Sequence, residues 1–347
     1  MQNLNVTAAM PLEMRLERLS GWLAGLHESG SFNGSVLMAK GGEVCFERHL
    51  GYADPARTVP LTAASSFALA SVTKPFTALA VLLLAHGGKL GLDDDLTKYL
   101  PELSAYRGVS LRNLLHHTSG APDYLDLADK FWPPDRTLTT GDVVALLARH
   151  RPSLYFPPGS RFEYGNTGYV LLAEIVTRVS EQTFPDFMAD AVFRPLGMND
   201  TAVVTFGLQN CPLRARTFGA RRALDRLVAC DLAPIDGVFG DAGIYASAAD
   251  LLRWDIGLRE GALLPPDVYA EAYRSGVLTN GQKNGYGFGW EIDPPDIVWH
   301  WGELQGFTAY VRRDLGRNTL LVMLSNVGPS AWLEPISAEL TEFMYEL

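Results

Sequence analysis

The chain has 347 residues, of which 47% are hydrophobic and 20% are charged, as is normal for a globular enzyme. Its formal charge of −10 and its pI near 5.2 argue against nucleic acid and against an anionic membrane surface as partners. The longest uninterrupted apolar run, residues 78–85, is far shorter than the roughly 20 residues that span a bilayer.

The N-terminal segment predicts an amphipathic helix, because leucines recur there at helical spacing, at positions 12, 16, 19 and 23. Residues 1–30 lack the basic start, the apolar centre and the cleavage site of a secretory signal. The alternative is an export signal that was removed before Met1. The three cysteines indicate neither a disulfide framework nor, with the histidines, a metal site. We therefore expect a cytoplasmic enzyme without a metal or another cofactor.

Strand patterns lie at both ends of the chain, and helical patterns lie between them. The first two strands, 34–40 and 43–51, are joined by Gly41-Gly42, as is typical of a β-hairpin. A buried helix follows and ends at glycines 87 and 88. The chain from about 93 to 232 is predicted to be mainly helical, with helices at 110–116, 141–149, 167–179 and 184–193. Strands return at 297–301, 307–312 and 319–324, and a last helix covers 332–345.

This order predicts an α/β fold of the α+β type, in which one antiparallel sheet is built from both chain ends and flanked by helices. Because no interdomain linker is recognisable, we expect a single domain over residues 1–347. Within it, residues from about 1 to 90 and from 235 to 347 would form an α/β subdomain, and residues from about 91 to 234 a helical one. The cleft between the sheet and the helical insertion is where we expect the functional site.

Ser71 and Lys74 stand at the start of the predicted buried helix. Positions i and i+3 lie on one face of a helix, so both side chains would point into the same space. Pro75 restricts the helix start to about this turn, which brings the positive end of the helix dipole to the Ser71 hydroxyl. A lysine against a buried helix pays a desolvation cost, so part of its population can become neutral and then accept a proton. The pair therefore has the chemistry of an activated nucleophile, although Ser-x-x-Lys alone more often marks an exposed helix surface.

Two further stretches carry polar residues that could complete such a site. Tyr164 and Asn166 lie at a predicted loop-to-helix junction, where a core aromatic and a helix N-cap are the plain alternatives. His300 lies on a predicted strand, two residues before Gly302, and its plain alternative is a buried core or cross-strand histidine. Each stretch alone favours the structural interpretation, and only their combination favours catalysis.

The three motifs occur in a fixed order: Ser71-Val72-Thr73-Lys74, Tyr164-Gly165-Asn166 and His300-Trp301-Gly302. Together they resemble the serine β-lactamase and penicillin-binding-protein superfamily. The closer resemblance is to the class C β-lactamase-related serine hydrolases, which include esterases, D-stereospecific peptidases and D-alanyl-D-alanine carboxypeptidases. It extends over about 34–326. Lesser stretches at 114–120, 195–198 and 286–290 agree with it in order and spacing.

The resemblance implies an acyl-enzyme mechanism. Ser71 would attack an ester or amide carbonyl, and the coupled pair of Lys74 and Tyr164 would take the serine proton, with no single base assigned. Tyr164 would then protonate the leaving group and help to activate water.

The remaining motif residues would bind the substrate. Backbone N–H groups of Ser71 and Glu303, just after Gly302, would form the oxyanion hole. Asn166 would hydrogen-bond the acyl side of the substrate, and His300 would tune the proton network or meet the leaving group.

The predicted substrate is a small ester or amide, and two residues restrict its charge. His300 replaces the third-motif lysine of true class C β-lactamases, which removes a fixed positive charge. If its side chain faces the cleft, Glu303 would repel the carboxylate of a penicillin. We therefore expect an esterase of broad specificity.

Several alternatives stay open. A D-amino-acid-specific peptidase or amidase would use Glu303 or Asp241 to bind a substrate ammonium, and a carboxypeptidase or weak β-lactamase is a further enzyme class. A non-catalytic ligand-binding relative is the competing class outside enzymes. An α/β-hydrolase is excluded, because the chain has no Gly-x-Ser-x-Gly.

Other stretches are expected to shape the pocket. Glycines in 237–254 allow close approach near the cleft, and Ser247 or Asp250 begins a helix there. The segments 123–139 and 206–229 are predicted to be loops at the pocket. A cluster of arginines comprises Arg214, Arg216, Arg221, Arg222 and Arg226. We interpret it as a solvated helix face, and the alternative is an anion-binding rim. The sequence does not predict the oligomeric state.

Overall fold

A six-stranded antiparallel sheet lies at the centre of the molecule. The computed structural model describes residues 4, 6, 7, 9–206, 211–223, 226–293, 296–328 and 333–345. In spatial order the strands are β2 (Glu43–Leu50), β1 (Gly34–Lys40), β11 (Thr319–Ser325), β10 (Phe307–Asp314), β9 (Ile297–Leu304) and β8 (Glu291–Asp293). Strand β1 pairs with β11 along its whole length, so both chain ends contribute to one sheet. The predicted fold class and the hairpin at Gly41-Gly42 are confirmed.

Two small three-stranded sheets were not predicted. One comprises β12 (Val327–Gly328), β5 (Ala220–Ala223) and β6 (Arg226–Ala229), and the other comprises β3 (Phe67–Ala68), β7 (Ile244–Ala246) and β4 (Ala202–Val203). The expectation of mainly helical structure up to residue 232 is therefore wrong after about residue 200. The local sequence around β5 carries no strand signal, and its conformation is set by pairing with β6 on one edge and with the distant β12 on the other.

The arginine cluster is correspondingly not a helix face. Arg221 and Arg222 lie on β5, and Arg226 begins β6. Arg216 is bound to the Asp231 carboxylate, at 2.7 Å. The interpretation of the cluster as a solvated helix surface is wrong, because these residues belong to a β-hairpin and its neighbouring segments.

Ten α-helices lie among the described residues. They are α1 (Leu12–Glu28), α2 (Lys74–His86), α3 (Leu111–Leu115), α4 (Tyr124–Phe131), α5 (Thr140–His150), α6 (Thr167–Ser180), α7 (Phe184–Met188), α8 (Ala248–Glu260), α9 (Pro266–Tyr269) and α10 (Glu334–Tyr345). Helix α4 corrects the expectation of a loop over 123–139, since Asp123 caps it by accepting a hydrogen bond from the Leu125 N–H. Ser247 begins α8 as predicted, and the predicted first residue of the last helix, 332, lies outside the described residues.

The central sheet is covered by helices on both faces. On β1, Val36 and Met38 point to the core shared with α1 and α10, whereas Leu37 and Ala39 point to the core that contains α2 and α8. Strand β11 is buried along its whole length because it is covered on both faces. Nearly all of α2 is buried as well, which explains why its sequence is apolar around the whole helix.

The start of α2 is held by close packing. Phe76 stacks on Trp254 at a centroid distance of 4.0 Å, and Trp254 stacks on Trp290 at 5.5 Å. A Cβ on Gly289, whose φ is +77°, would lie 2.5 Å from the Pro75 nitrogen. Only glycine allows this approach, so the stretch around Trp290 seats the first turn of α2.

In the described part of the chain, no helix has both the length and the apolar character needed to cross a bilayer. The division of the chain into two subdomains stays a prediction.

Candidate active site

Ser71 lies in a tight turn that leads into α2. Residues Ala70–Thr73 form a 3-10 turn, and α2 continues from Lys74. Ala70 has a φ of +49°, in the left-handed region that L-residues rarely adopt. Such backbone strain persists only where surrounding structure holds it, and it is concentrated at functional sites. The half-buried Ser71 side chain is thus presented at the N-terminus of a buried helix, as predicted.

Lys74 is fully buried beside this serine, and three oxygen atoms accept its hydrogen bonds. Its Nζ lies 3.0 Å from Ser71 Oγ, 3.1 Å from Asn166 Oδ1 and 3.2 Å from the Asp241 carbonyl oxygen. The predicted Ser71–Lys74 pair is therefore within hydrogen-bond distance. The other two acceptors hold the Lys74 amino group in one orientation.

The glycine-rich segment before β7 wraps around the start of α2. Thr77 Oγ1 donates to the Gly240 carbonyl at 2.7 Å, and the Ile244 N–H donates to Thr73 Oγ1 at 3.2 Å. Gly240 has a φ of +107°, and a Cβ there would meet α6 at Ala173. The close approach predicted for 237–254 is confirmed, and it brings the Asp241 carbonyl to Lys74.

Tyr164 covers Lys74 from the solvent side. Lys74 Nζ lies 4.9 Å from the centroid of the Tyr164 ring, and 40% of the Tyr164 side chain is exposed. Among the described residues, its hydroxyl makes no hydrogen bond. The alternative that Tyr164 is a core aromatic is wrong, because a core residue would not be 40% exposed.

Asn166 joins Lys74 to an acidic residue. Its Oδ1 accepts from Lys74, and its Nδ2 donates a long hydrogen bond of 3.5 Å to Asp123 Oδ2. Asn166 occupies the N-cap position of α6 but makes no side-chain capping hydrogen bond. The plain N-cap alternative is therefore wrong, and the side chain is directed into the site.

His300 is buried on β9, with both ring nitrogens occupied. Its Nδ1 lies 2.7 Å from the Trp301 carbonyl, so Nδ1 carries the proton, and Nε2 accepts from the Tyr286 hydroxyl at 3.0 Å. Burial, and then the proximity of Lys74, lower the pKa of His300 to about 3. His300 is thus a neutral lining residue with no nitrogen open to a leaving group. Its role in tuning the proton network stays a prediction.

Strand β9 passes directly beside Ser71. A Cβ on Gly302 would overlap the Leu69 carbonyl oxygen and would lie 3.0 Å from the Ser71 nitrogen. Strand β8 pairs with β9 only as far as Trp299, so the β9 edge beyond that residue is not covered by β8. A glycine at 302 is required for this approach, which sets the strand edge against the Ser71 backbone N–H.

The Glu303 side chain points away from the site. Along β9, Val298 packs into the core on the α2 face of the sheet, whereas Trp299 and Trp301 pack into the core on the α1 and α10 face. Because side chains alternate along a strand, Glu303 shares the face of the two tryptophans, and it is exposed there. The expectation that its carboxylate meets a substrate is corrected, and only its backbone stays a candidate for the oxyanion hole.

Two residues close to the site had no role assigned from the sequence. Tyr286 binds His300, and His117 packs against Tyr164 with ring centroids 4.5 Å apart. Both lie in the lesser stretches that supported the resemblance, 286–290 and 114–120. Those stretches were the available signal, but a tyrosine and a histidine that bind other side chains cannot be told from core residues by pattern alone.

The surroundings of the site are acidic. A cavity of about 320 Å³ beside Tyr164 is lined by Asp123, Asp126 and Glu163, of which Glu163 is bound to Arg161. Burial raises the pKa of Asp241, although Lys74 opposes this shift. Asp241 Oδ2 accepts from the Tyr124 hydroxyl at 3.3 Å, and Oδ1 is buried without a partner among the described residues. Within those residues, no group of three or more acidic, histidine or cysteine side chains could hold a metal.

Comparison with known proteins identifies the family of this chain. The Beta-lactamase family model matches residues 21–341. The chain belongs to the Beta-lactamase family. Penicillin-binding protein 4* of Bacillus subtilis (strain 168) is 34% identical to it over 316 residues, covering 87% of this chain and 69% of that protein. This Beta-lactamase family member is thus similar to a penicillin-binding protein over most of its length.

Solved structures of the Beta-lactamase fold superpose on most of this chain. The octameric penicillin-binding protein homologue from Pyrococcus abyssi has a TM-score of 0.79 at 25% identity and covers 94% of this chain and 77% of its own. The D-amino acid amidase from Ochrobactrum anthropi SV3, complexed with L-phenylalanine amide, has a TM-score of 0.78 at 25% identity. The match covers 94% of this chain and 98% of the amidase chain. The resemblance inferred from the three motifs is confirmed at the level of family and fold.

Proposed function

We propose that this protein is a serine hydrolase that forms an acyl-enzyme on Ser71 and acts as an esterase on neutral substrates. One observation carries the proposal: Ser71 Oγ lies 3.0 Å from the buried Lys74 Nζ, at the start of α2. This is hydrogen-bond distance for transfer of the serine proton.

The reaction follows from the positions of these groups. Ser71 Oγ attacks the substrate carbonyl carbon while its proton passes to the Lys74–Tyr164 pair, and the carbonyl electrons move to oxygen. The backbone N–H groups of Ser71 and Glu303 stabilise that oxyanion. When the carbonyl re-forms, the alcohol leaves with a proton from Tyr164, an exposed residue whose ring lies beside Lys74 Nζ. Water then attacks the acyl-enzyme by the same steps in reverse order.

The charges near the site favour a neutral substrate over an anionic one. His300 is neutral because burial lowers its pKa to about 3, so it supplies no cation where true class C β-lactamases have a lysine. Asp123 and Asp126 line the neighbouring cavity. Carboxylates there repel the carboxylate of a penicillin, so slow reaction with β-lactams is expected.

The first experiment is intact-mass analysis after incubation with a fluorophosphonate and, separately, with a penicillin, followed by peptide mapping. The expected result is a fluorophosphonate adduct on Ser71 and little stable penicilloyl adduct, together with turnover of p-nitrophenyl esters. Ser71→Ala should lose about 10⁴-fold or more of the acyl-transfer rate and keep its thermal unfolding temperature. Activity that survives in Ser71→Ala would show that Ser71 is not the nucleophile. No adduct with either reagent would reject an acyl-enzyme on Ser71 and favour a non-catalytic relative.

A second candidate is hydrolysis of substrates that carry a free ammonium, such as D-aminoacyl amides. The acidic cavity beside Tyr164 supports it, as does the similarity to a D-amino acid amidase. Of the carboxylates that line this cavity, Asp123 is joined to the site by its hydrogen bond from Asn166. Steady-state kinetics on D-phenylalanine amide and on an uncharged ester separate the two. If the ammonium is recognised here, Asp123→Asn raises KM for the amide and leaves KM for the ester unchanged.

A further inference from the structure

The loop that carries Tyr164 is bound on both sides of this residue by one histidine. The Glu163 N–H donates to the His117 carbonyl oxygen at 3.0 Å, and the Gly165 N–H donates to His117 Nδ1 at 3.3 Å. The backbone N–H groups of the two residues on either side of Tyr164 are therefore anchored to a single residue. Since His117 lies just after α3, this links the Tyr164 loop to a helix of the protein core.

The same histidine contacts the Tyr164 ring. The His117 ring centroid lies 4.5 Å from that of Tyr164, 4.6 Å from that of Tyr286 and 5.1 Å from that of Tyr169. His117 is 4% exposed, so these rings enclose it. The two backbone hydrogen bonds fix the position of the Tyr164 main chain, and contact with the imidazole restricts the orientation of the Tyr164 ring.

Packing alone does not explain an imidazole at this position. Because Nδ1 accepts from Gly165, the ring proton lies on Nε2, which is buried without a hydrogen-bond partner among the described residues. An unpaired buried N–H is unfavourable, and an apolar ring of similar shape would avoid it. Burial also lowers the pKa of His117 well below its usual range, so it adds no positive charge beside Lys74. Its backbone lies at a φ of +56°, which histidine adopts more readily than most residues.

We infer that His117 is a positioning residue for the proposed reaction: it holds the Tyr164 hydroxyl over Lys74 and Ser71 through its Nδ1, its carbonyl oxygen and its ring. This inference rests on the proposed function, because it requires Tyr164 to transfer protons. In this role His117 acts through Tyr164 and takes no part in the bond changes itself.

A double-mutant cycle with Tyr164→Phe tests the inference. His117→Asn places Oδ1 where Nδ1 stood and keeps the acceptor for Gly165, whereas His117→Phe keeps the ring and loses the acceptor. We expect His117→Phe to lower the single-turnover acylation rate with a p-nitrophenyl ester by about 100-fold, and His117→Asn to lower it less. In the Tyr164→Phe background, both substitutions should have almost no further effect, because the hydroxyl that they misplace is already absent.

A neighbouring residue provides the matched control. His116 is also buried, but its Nδ1 contacts the Tyr286 carbonyl at 3.0 Å and it does not bind the Tyr164 loop. His116→Phe should therefore lower stability, and its effect on the rate should multiply with that of Tyr164→Phe. Thermal unfolding of every variant identifies any that fails to fold, in which case His117→Asn, the smaller change, supplies the cycle.

The outcomes separate this inference from the proposed function. If the effects of the His117 and Tyr164 substitutions on the acylation rate multiply independently, in an enzyme that is acylated on Ser71, the positioning role is overturned and the proposed esterase function is retained. If Tyr164→Phe keeps the full rate, the role of Tyr164 and the inference both fail. If the unmutated protein gives no acyl-enzyme on Ser71, the proposed function fails, and the positioning role fails with it.

Discussion

Two buried basic side chains flank the nucleophile, and their surroundings differ. Lys74 is fully buried and faces three oxygen atoms, one of them Ser71 Oγ. His300 is 2% exposed, but it faces one hydroxyl and one carbonyl, and among the described residues no acidic group binds it. Burial therefore lowers the pKa of His300 to about 3 and keeps its ring neutral.

The difference divides the site into two sides. The Lys74 side, with Asn166, Asp241 and Asp123, is polar and can exchange a proton with Ser71. The His300 side is neutral and held in place by Tyr286. We infer that proton transfer occurs on the first side and that the second side mainly shapes the cleft.

The largest effect should come from breaking the Lys74 side. Lys74→Met keeps the length of the side chain but removes the proton acceptor and leaves the oxygens of Asn166 and Asp241 without a donor. The acylation rate should fall by about 10³-fold, which stopped-flow measurement with an activated ester would detect. Lys98→Met, at an exposed lysine paired with Asp94, is the control and should keep the full rate. A mild loss in Lys74→Met would show that another group is the base.

A smaller effect, on stability, should come from the His300 side. The folded pKa of His300 is about 3, and the unfolded value is near 6.5, so between these pH values the unfolded chain binds a proton that the folded chain does not. Stability therefore falls as the pH drops below about 6.5, by up to about 1.4 kcal/mol per pH unit for this one group. His300→Gln removes this contribution, so the difference in unfolding free energy between the two proteins should shrink at low pH.

Urea unfolding at several pH values between 4 and 7.5 would measure this difference. His116, whose pKa burial lowers to about 4, contributes in the same direction in both proteins and cancels in the comparison. The rate profile of His300→Gln between pH 5 and 8 should keep the wild-type shape, because His300 is already neutral there. Parallel stability curves, or a lost inflection near neutral pH, would contradict a neutral buried His300.

The smallest effect is expected at Glu303, which the sequence had placed in the substrate site. Because its side chain lies on the opposite face of β9, Glu303→Gln should change neither the ester rate nor the rate of penicillin acylation. Asp123→Asn serves as the positive control for a carboxylate near the site and should change KM for amine-bearing substrates. A faster penicillin reaction in Glu303→Gln would show that its carboxylate does reach the cleft.

Much of the fold could be predicted because its signals are local. The Gly41-Gly42 hairpin, the apolar helix that begins beside Pro75 and the late strands each follow from a few adjacent residues. Strands β5 and β6 could not be predicted in this way, because β5 is a four-residue segment containing two arginines. It pairs with β6 on one edge and, on the other, with β12, about 100 residues further along the chain.

The candidate site divides in the same manner. The sequence by itself determined the family, the motif order and the pairing of Ser71 with Lys74, because a spacing of three residues at a helix start places two side chains together. Only the tertiary structure decided that the Asp241 carbonyl completes the shell of Lys74, that Tyr286 binds His300 and that His117 anchors Tyr164. It also decided that Glu303 faces away, since the register and the pleat of β9 set the direction of each side chain. Contacts between distant segments depend on packing, and residue patterns along the chain do not encode them.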